Sequence, residues 1–77
     1  MRINLEKFTE IISNYVDLED RDVTEASRFI EDLGLNSYDF MSLLGELEDE
    51  CDIEVNEREA LRIHTVGEAI AYVNSLA

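Results

Sequence analysis

The chain has 77 residues and sets 19 acidic side chains against 6 basic ones, for a formal net charge of -13. That length predicts one small domain, residues 1–77, with a modest core. The charge excludes nucleic acid as a partner, because phosphate repels such a surface, and no apolar run approaches the roughly 20 residues of a membrane span.

The first predicted element is a helix carrying Leu5, Phe8, Ile11, Ile12 and Tyr15 at three- and four-residue steps. Asn4 precedes it as a plausible N-cap. Its leading stretch, "MRINLEKFTE", has no apolar signal core, so a cytoplasmic location is expected. The segment "VDLEDRDVTEASRFIEDLGLN" then loses any sustained period and reads as a long connection, a feature that is often functional. Within it, Thr24 to Ser27 suit a single turn, Phe29 and Leu33 suit anchors to the core, and Gly34 offers a left-handed position.

A second helix has the clearest pattern. Phe40, Leu43, Leu44, Leu47 and Cys51 form one apolar stripe. Asn36 or Ser37 caps its start, and Asp39 in the first turn suits the helix dipole. "DIEVNE" reads as an extended linker, and Glu57 to Ile63 as one or two helical turns. Thr65 with Glu68 forms a capping box for a last helix carrying Val66, Ala69, Ile70, Val73 and Leu76. The expected fold class is all-α: a small four-helix bundle with a long first loop and a short third helix.

Catalytic chemistry finds little support in these residues. His64 is the sole histidine and reads as a surface or partly packed side chain. One cysteine and one histidine do not make a zinc site. The acidic run "EDECDIEVNERE" lacks the alternating ligands and central glycine of a calcium loop. Cys51, at helical spacing with leucines, reads as a buried small hydrophobe. The excess of negative charge favours a basic protein partner, or confers solubility alone.

Ser37 stands directly before the second apolar stripe. A serine there is commonly only a cap. The same place also suits a covalently attached phosphate, since free backbone N–H groups and the dipole's positive end both favour an anion. Either reading is open on spacing alone.

"FIEDLGLNSYDF" resembles the D-L-G-x-D-S-L motif of the acyl carrier protein family. "LLGELEDECDIEV" is similar to the end of that family's second helix, and "IHTVGEAIAYV" to its last helix. The resemblance covers nearly the whole chain. It implies a free-standing, non-catalytic carrier for fatty-acid, polyketide or related biosynthesis. A 4'-phosphopantetheine arm derived from coenzyme A would be joined to Ser37 by a phosphopantetheinyl transferase and would hold acyl groups as thioesters. Basic-surfaced loading, synthase and transferase enzymes are the implied partners of a monomeric protein. Two alternatives share the fold: a carrier of aminoacyl or D-alanyl groups, and an unmodified acidic interaction domain.

With Phe40, Leu43, Leu44 and Leu47 turned inward, Tyr38, Met41, Ser42 and Gly45 face solvent beside Ser37. Tyr38 and Met41 then form the apolar centre of a docking face, and Asn36, Asp39, Glu46, Glu48 and Asp49 surround it. Alternatively, Met41 is a partly buried helix residue. The chain departs from the family pattern at Asn36, where Asp is usual, and at Tyr38, where Leu is usual. Cys51 stands where Phe is frequent, so either room is left for cargo or a neighbour such as Phe40 fills the space.

Overall fold

The computed structural model describes residues 2–18 and 22–76. Four helices follow one another: α1 (Leu5–Ile12), α2 (Ser37–Cys51), α3 (Glu57–Ala60) and α4 (Val66–Leu76). This is the predicted all-helical order, with a long first connection and a short third helix. Residues 19–21 of that connection lie outside the described residues.

Cap chemistry sets most of the helix ends. Asn4 accepts from the Lys7 N–H and starts α1. The helix closes at Ile12, so Tyr15 lies in the turn beyond it and not on the helix as expected. There its hydroxyl donates to the Ser42 carbonyl at 3.2 Å and to Glu46 Oε1 at 2.8 Å, tying the end of α1 to α2. At the other end, α2 is closed by Asp52 in the left-handed region (φ 54°), a conformation that Asp tolerates better than most residues. The Ile53 N–H then donates back to the Glu48 carbonyl. Thr65 and Glu68 form the predicted capping box: the Thr65 N–H donates to Glu68 Oε1 at 3.0 Å, and the Glu68 N–H donates to Thr65 Oγ1 at 3.2 Å.

One core unites these elements. Phe8, Ile12, Leu43, Leu47, Val66 and Val73 have no exposed surface, and Phe29, Leu33 and Leu35 from the first loop join them. Cys51 is buried in the same cluster, as its spacing predicted. The thiol is pushed above its ordinary value by that burial, which disfavours the thiolate. Leu76 departs from expectation: it falls on the α4 stripe by number but is exposed at the helix end.

The first loop is held by backbone bonds to the start of α4. Val66 N–H donates to the Ser27 carbonyl at 2.9 Å, Gly67 N–H to the Glu25 carbonyl at 2.8 Å, and Phe29 N–H to the His64 carbonyl at 3.0 Å. A Cβ at position 67 would meet Glu25 at 3.0 Å, so a side chain there would have to push the Glu25 segment back by a few tenths of an ångström. Gly34 takes φ 78°, the predicted left-handed position, and turns the chain into α2. The short α3 is clamped to its neighbours by polar bonds. Tyr72 Oη accepts from the Asn56 N–H at 2.9 Å and donates to Glu59 Oε1 at 3.0 Å.

Candidate functional site

The start of α2 is built by three consecutive residues with separate tasks. Leu35 is buried and pins the loop, its N–H donating to the Phe29 carbonyl at 3.0 Å. Asn36 is the N-cap, with extended backbone and a side chain that accepts from the Asp39 N–H at 2.7 Å. Of the two candidates for this task, the structure chooses Asn36. That frees Ser37, the first helical residue, whose side chain is exposed and not spent on capping. The N–H groups of Ser37 and Tyr38 belong to the first turn and have no intrahelical acceptor. They and the helix dipole make the place favourable for a phosphate ester on the Ser37 hydroxyl. Asn36 keeps the cap without adding a negative charge there.

Ser37 also lines a cavity of about 240 Å³ between α2, the first loop and the α3–α4 connection. Phe29, Phe40, Ile63, His64 and the acidic Glu31 line it, and the exposed Ile30, Met41 and Leu61 mark its mouth. Those three mouth residues are exposed by 49%, 39% and 70%, and Tyr38 beside them by 80%. Ser37 therefore sits at the edge of an uncovered apolar surface. Such surface on a small protein marks a place of contact. Ile30, Leu61, Ile63 and His64 escape a helix-by-helix reading because they come from the loop and from the chain around α3. The sequence signal was available in part: Ile30 and Leu61 are large apolar residues, each followed directly by a charged one. A shallower groove of about 670 Å³ over Leu5, Thr9, Leu18 and Val23 does not include Ser37.

The predicted docking residues divide on inspection. Tyr38, Met41 and Asp49 are exposed, and nothing lies within 4 Å of where a Cβ on Gly45 would stand. Met41 serves the cavity mouth as well as the outer face. Glu46, by contrast, is tied to Tyr15 and, at 3.4 Å, to Asn14. Burial, and then the Glu46 hydrogen bond, raise the Tyr15 pKa to about 12. Glu48 accepts from the Val55 N–H at 2.9 Å, so its carboxylate holds the linker to α3. Ser42 and Asp39 are half-buried. In the first loop, Arg28 pairs with Asp32 at 3.2 Å and with Glu31 at 3.4 Å. The Arg28 side-chain and backbone hydrogen bonds hold Asp32 below the usual carboxylate range.

Among the described residues, no group of His, Cys, Asp and Glu is placed to hold a metal ion, and no helix is long and apolar enough to cross a membrane. A family model described as "Phosphopantetheine attachment site" matches residues 6–73. The chain belongs to this family of phosphopantetheine-bearing carrier proteins, and covalent 4'-phosphopantetheine is its cofactor. Its structure is similar to that of an acyl carrier protein from Enterococcus faecalis: 38% identity, TM-score 0.79, covering 95% of this chain and 92% of that one. It is also similar to a Mycobacterium tuberculosis protein assigned as an acyl carrier protein: 35% identity, TM-score 0.81, covering 91% of this chain and 93% of that one. The fold and the cofactor therefore define a carrier protein of the acyl carrier type, a class of domain that is generally non-catalytic.

Proposed function

We propose that Ser37 is the attachment site and that residues 1–77 act as one monomeric carrier domain in the cytoplasm. In this reading the protein serves fatty-acid, polyketide or related biosynthesis. The observation that carries the assignment is the exposed, uncommitted Ser37 hydroxyl at the α2 N-terminus, inside the span that matches the family. Bound there, phosphopantetheine supplies a terminal thiol that holds acyl groups as thioesters.

This chain's own residues do the rest. Asn36 fixes the first turn of α2, and Gly34 sets the direction from which the loop enters it. The exposed N–H groups of the first turn favour the negative phosphodiester. Tyr38, Met41 and the residues of the cavity mouth supply the apolar centre of a docking surface for the phosphopantetheinyl transferase and acyl-handling enzymes. Asp49, exposed near the far end of α2, contributes acidic charge that steers basic partners, through encounter rate more than through final affinity.

The test is direct. Incubation with coenzyme A and a broad-specificity transferase should add one phosphopantetheine to the intact mass of the wild type and none to Ser37→Ala. Wild-type protein that stays unmodified with several transferases, or a Ser37→Ala variant that gains the arm, refutes the assignment.

A further inference from the structure

A second surface, away from Ser37, is left uncovered by the fold. Leu5, Thr9 and Ser13 follow one another at four-residue steps along α1 and its C-cap, and together with Leu18 and Val23 of the first loop they line a shallow groove of about 670 Å³. Leu5, Leu18 and Val23 are half-buried, each with one side packed on the core. The two hydroxyls are spent on the helix itself. Thr9 Oγ1 donates to the Leu5 carbonyl at 2.8 Å, and Ser13 Oγ donates to the Glu10 carbonyl. Neither hydroxyl proton is left for a ligand, so the floor of the groove is apolar in effect.

Glu6 and Glu10 complete the lining, one helical turn apart. Both are exposed, and among the described residues neither carboxylate accepts a hydrogen bond or joins an ion pair. In this they differ from Glu46, Glu48, Glu59 and Glu68, whose carboxylates bond to Tyr15, Val55, Tyr72 and Thr65. On the loop side, the exposed Asp17 and Asp22 flank Leu18 and Val23 in the chain. Lys7, the one cation of α1, is two residues from both Leu5 and Thr9 and so lies across the helix from them, outside the lining.

We propose that this groove docks a basic amphipathic helix of a partner protein, on a surface separate from the one at Ser37. Charge complementarity names the occupant. Apolar side chains of such a helix fill the floor, and Lys or Arg residues one turn apart meet Glu6 and Glu10. An acidic segment would face carboxylates at both edges and be repelled. A small ligand is held by enclosure, which a shallow groove does not provide. The row from Leu5 to Ser13 spans about 12 Å, so two to three turns of the partner cover it. Ser37 does not line the groove, so a partner held here leaves the arm free for another enzyme. Docking here does not depend on Ser37 being the attachment site.

The probe is a leucine–lysine peptide of about 14 residues with its leucines on one face, long enough to fold as a helix on binding. It is titrated into the isotope-labelled protein at about 0.15 M salt, where distant charges are screened, and backbone amide shifts report the site. Shift changes should centre on Leu5 to Ser13, Leu18 and Val23, and should persist in Ser37→Ala. Glu6→Lys with Glu10→Lys turns two attractions into two repulsions and should weaken binding at least about tenfold. Glu6→Gln with Glu10→Gln should weaken it less, in the same direction. Glu50→Lys with Glu54→Lys reaches the same net charge at exposed positions outside the groove and should weaken binding less than about threefold. Shift changes centred on Tyr38, Met41 and Leu61 overturn the proposal. Equal weakening by the two lysine pairs overturns it too, because net charge alone then explains binding, and so does the absence of saturable binding. The wild-type shift map decides the matter even where the lysine pairs fail to fold. Failure to attach the arm refutes the Ser37 assignment and leaves this docking site standing.

Discussion

Asn36→Ala isolates the task of the residue before Ser37. The substitution removes the acceptor that holds the Asp39 N–H at 2.7 Å and leaves Ser37 untouched. Losing an N-cap side chain costs about 1 kcal/mol, within a range of ~0.5–2. The Asp39 N–H lies near solvent, where water replaces the lost bond, so the centre of that range applies. For a domain of this size about 1 kcal/mol lowers Tm by about 4–8 °C. Asn36→Asp restores the family's usual residue and keeps an acceptor. Its added charge gains ~0.3–1 kcal/mol from the helix dipole. Repulsion from Asp39 and from a chain already at -13 offsets this, so stability should stay close to wild type. Urea unfolding followed by circular dichroism, read at unchanged m-value, measures both variants. The Ala variant should also accept the arm more slowly, because the first turn that presents Ser37 frays. An Ala variant as stable as wild type, or an Asp variant as unstable as Ala, would refute the capping argument.

Further outcomes follow from the same contacts. Tyr15→Phe should cost about 1 kcal/mol for the bonds to Ser42 and Glu46, and should delete a tyrosine absorbance transition near pH 12. Glu68→Ala should lower Tm at neutral pH. Backbone bonds from His64 and Thr65 hold the Glu68 carboxyl below its ordinary range, so its contribution is present above that range and lost as pH falls through the folded value. The gap between variant and wild type in a pH series of melts should therefore close under acid conditions. Glu48→Ala should destabilise by about 1 kcal/mol through the unpaired, part-buried Val55 N–H. Asp49→Lys should instead leave Tm unchanged and slow association with a basic partner, with the effect fading as salt rises in stopped-flow measurements.

The parts of the site legible in sequence are those governed by short-range chemistry. The α2 stripe, the Thr65–Glu68 capping box and the left-handed Gly34 each depend on residues within a few positions of one another. Such rules also placed Ser37 at a helix start, but they left open whether it was the cap. The 2.7 Å bond from Asp39 to Asn36 closes that question, because only one residue can take the extended N-cap conformation. The same limit explains Glu48. By pattern it was one more surface charge on an acidic helix, and only the return of the chain after Asp52 brings the Val55 N–H to it.

The cavity belongs entirely to the tertiary level. Ile30 comes from the first loop, Met41 from α2, and Leu61 and His64 from the chain after α3. They meet because Phe29, Val66 and Gly67 knit the loop to the start of α4 through backbone bonds. Periodicity cannot report such a meeting, since it records which face of one helix is apolar and not what another segment lays across it. The sequence alone therefore determined the helices, the core and the place of the serine. The fold decided what surrounds that serine: a neutral cap, an open apolar rim, and a cavity lined in part by two phenylalanine rings.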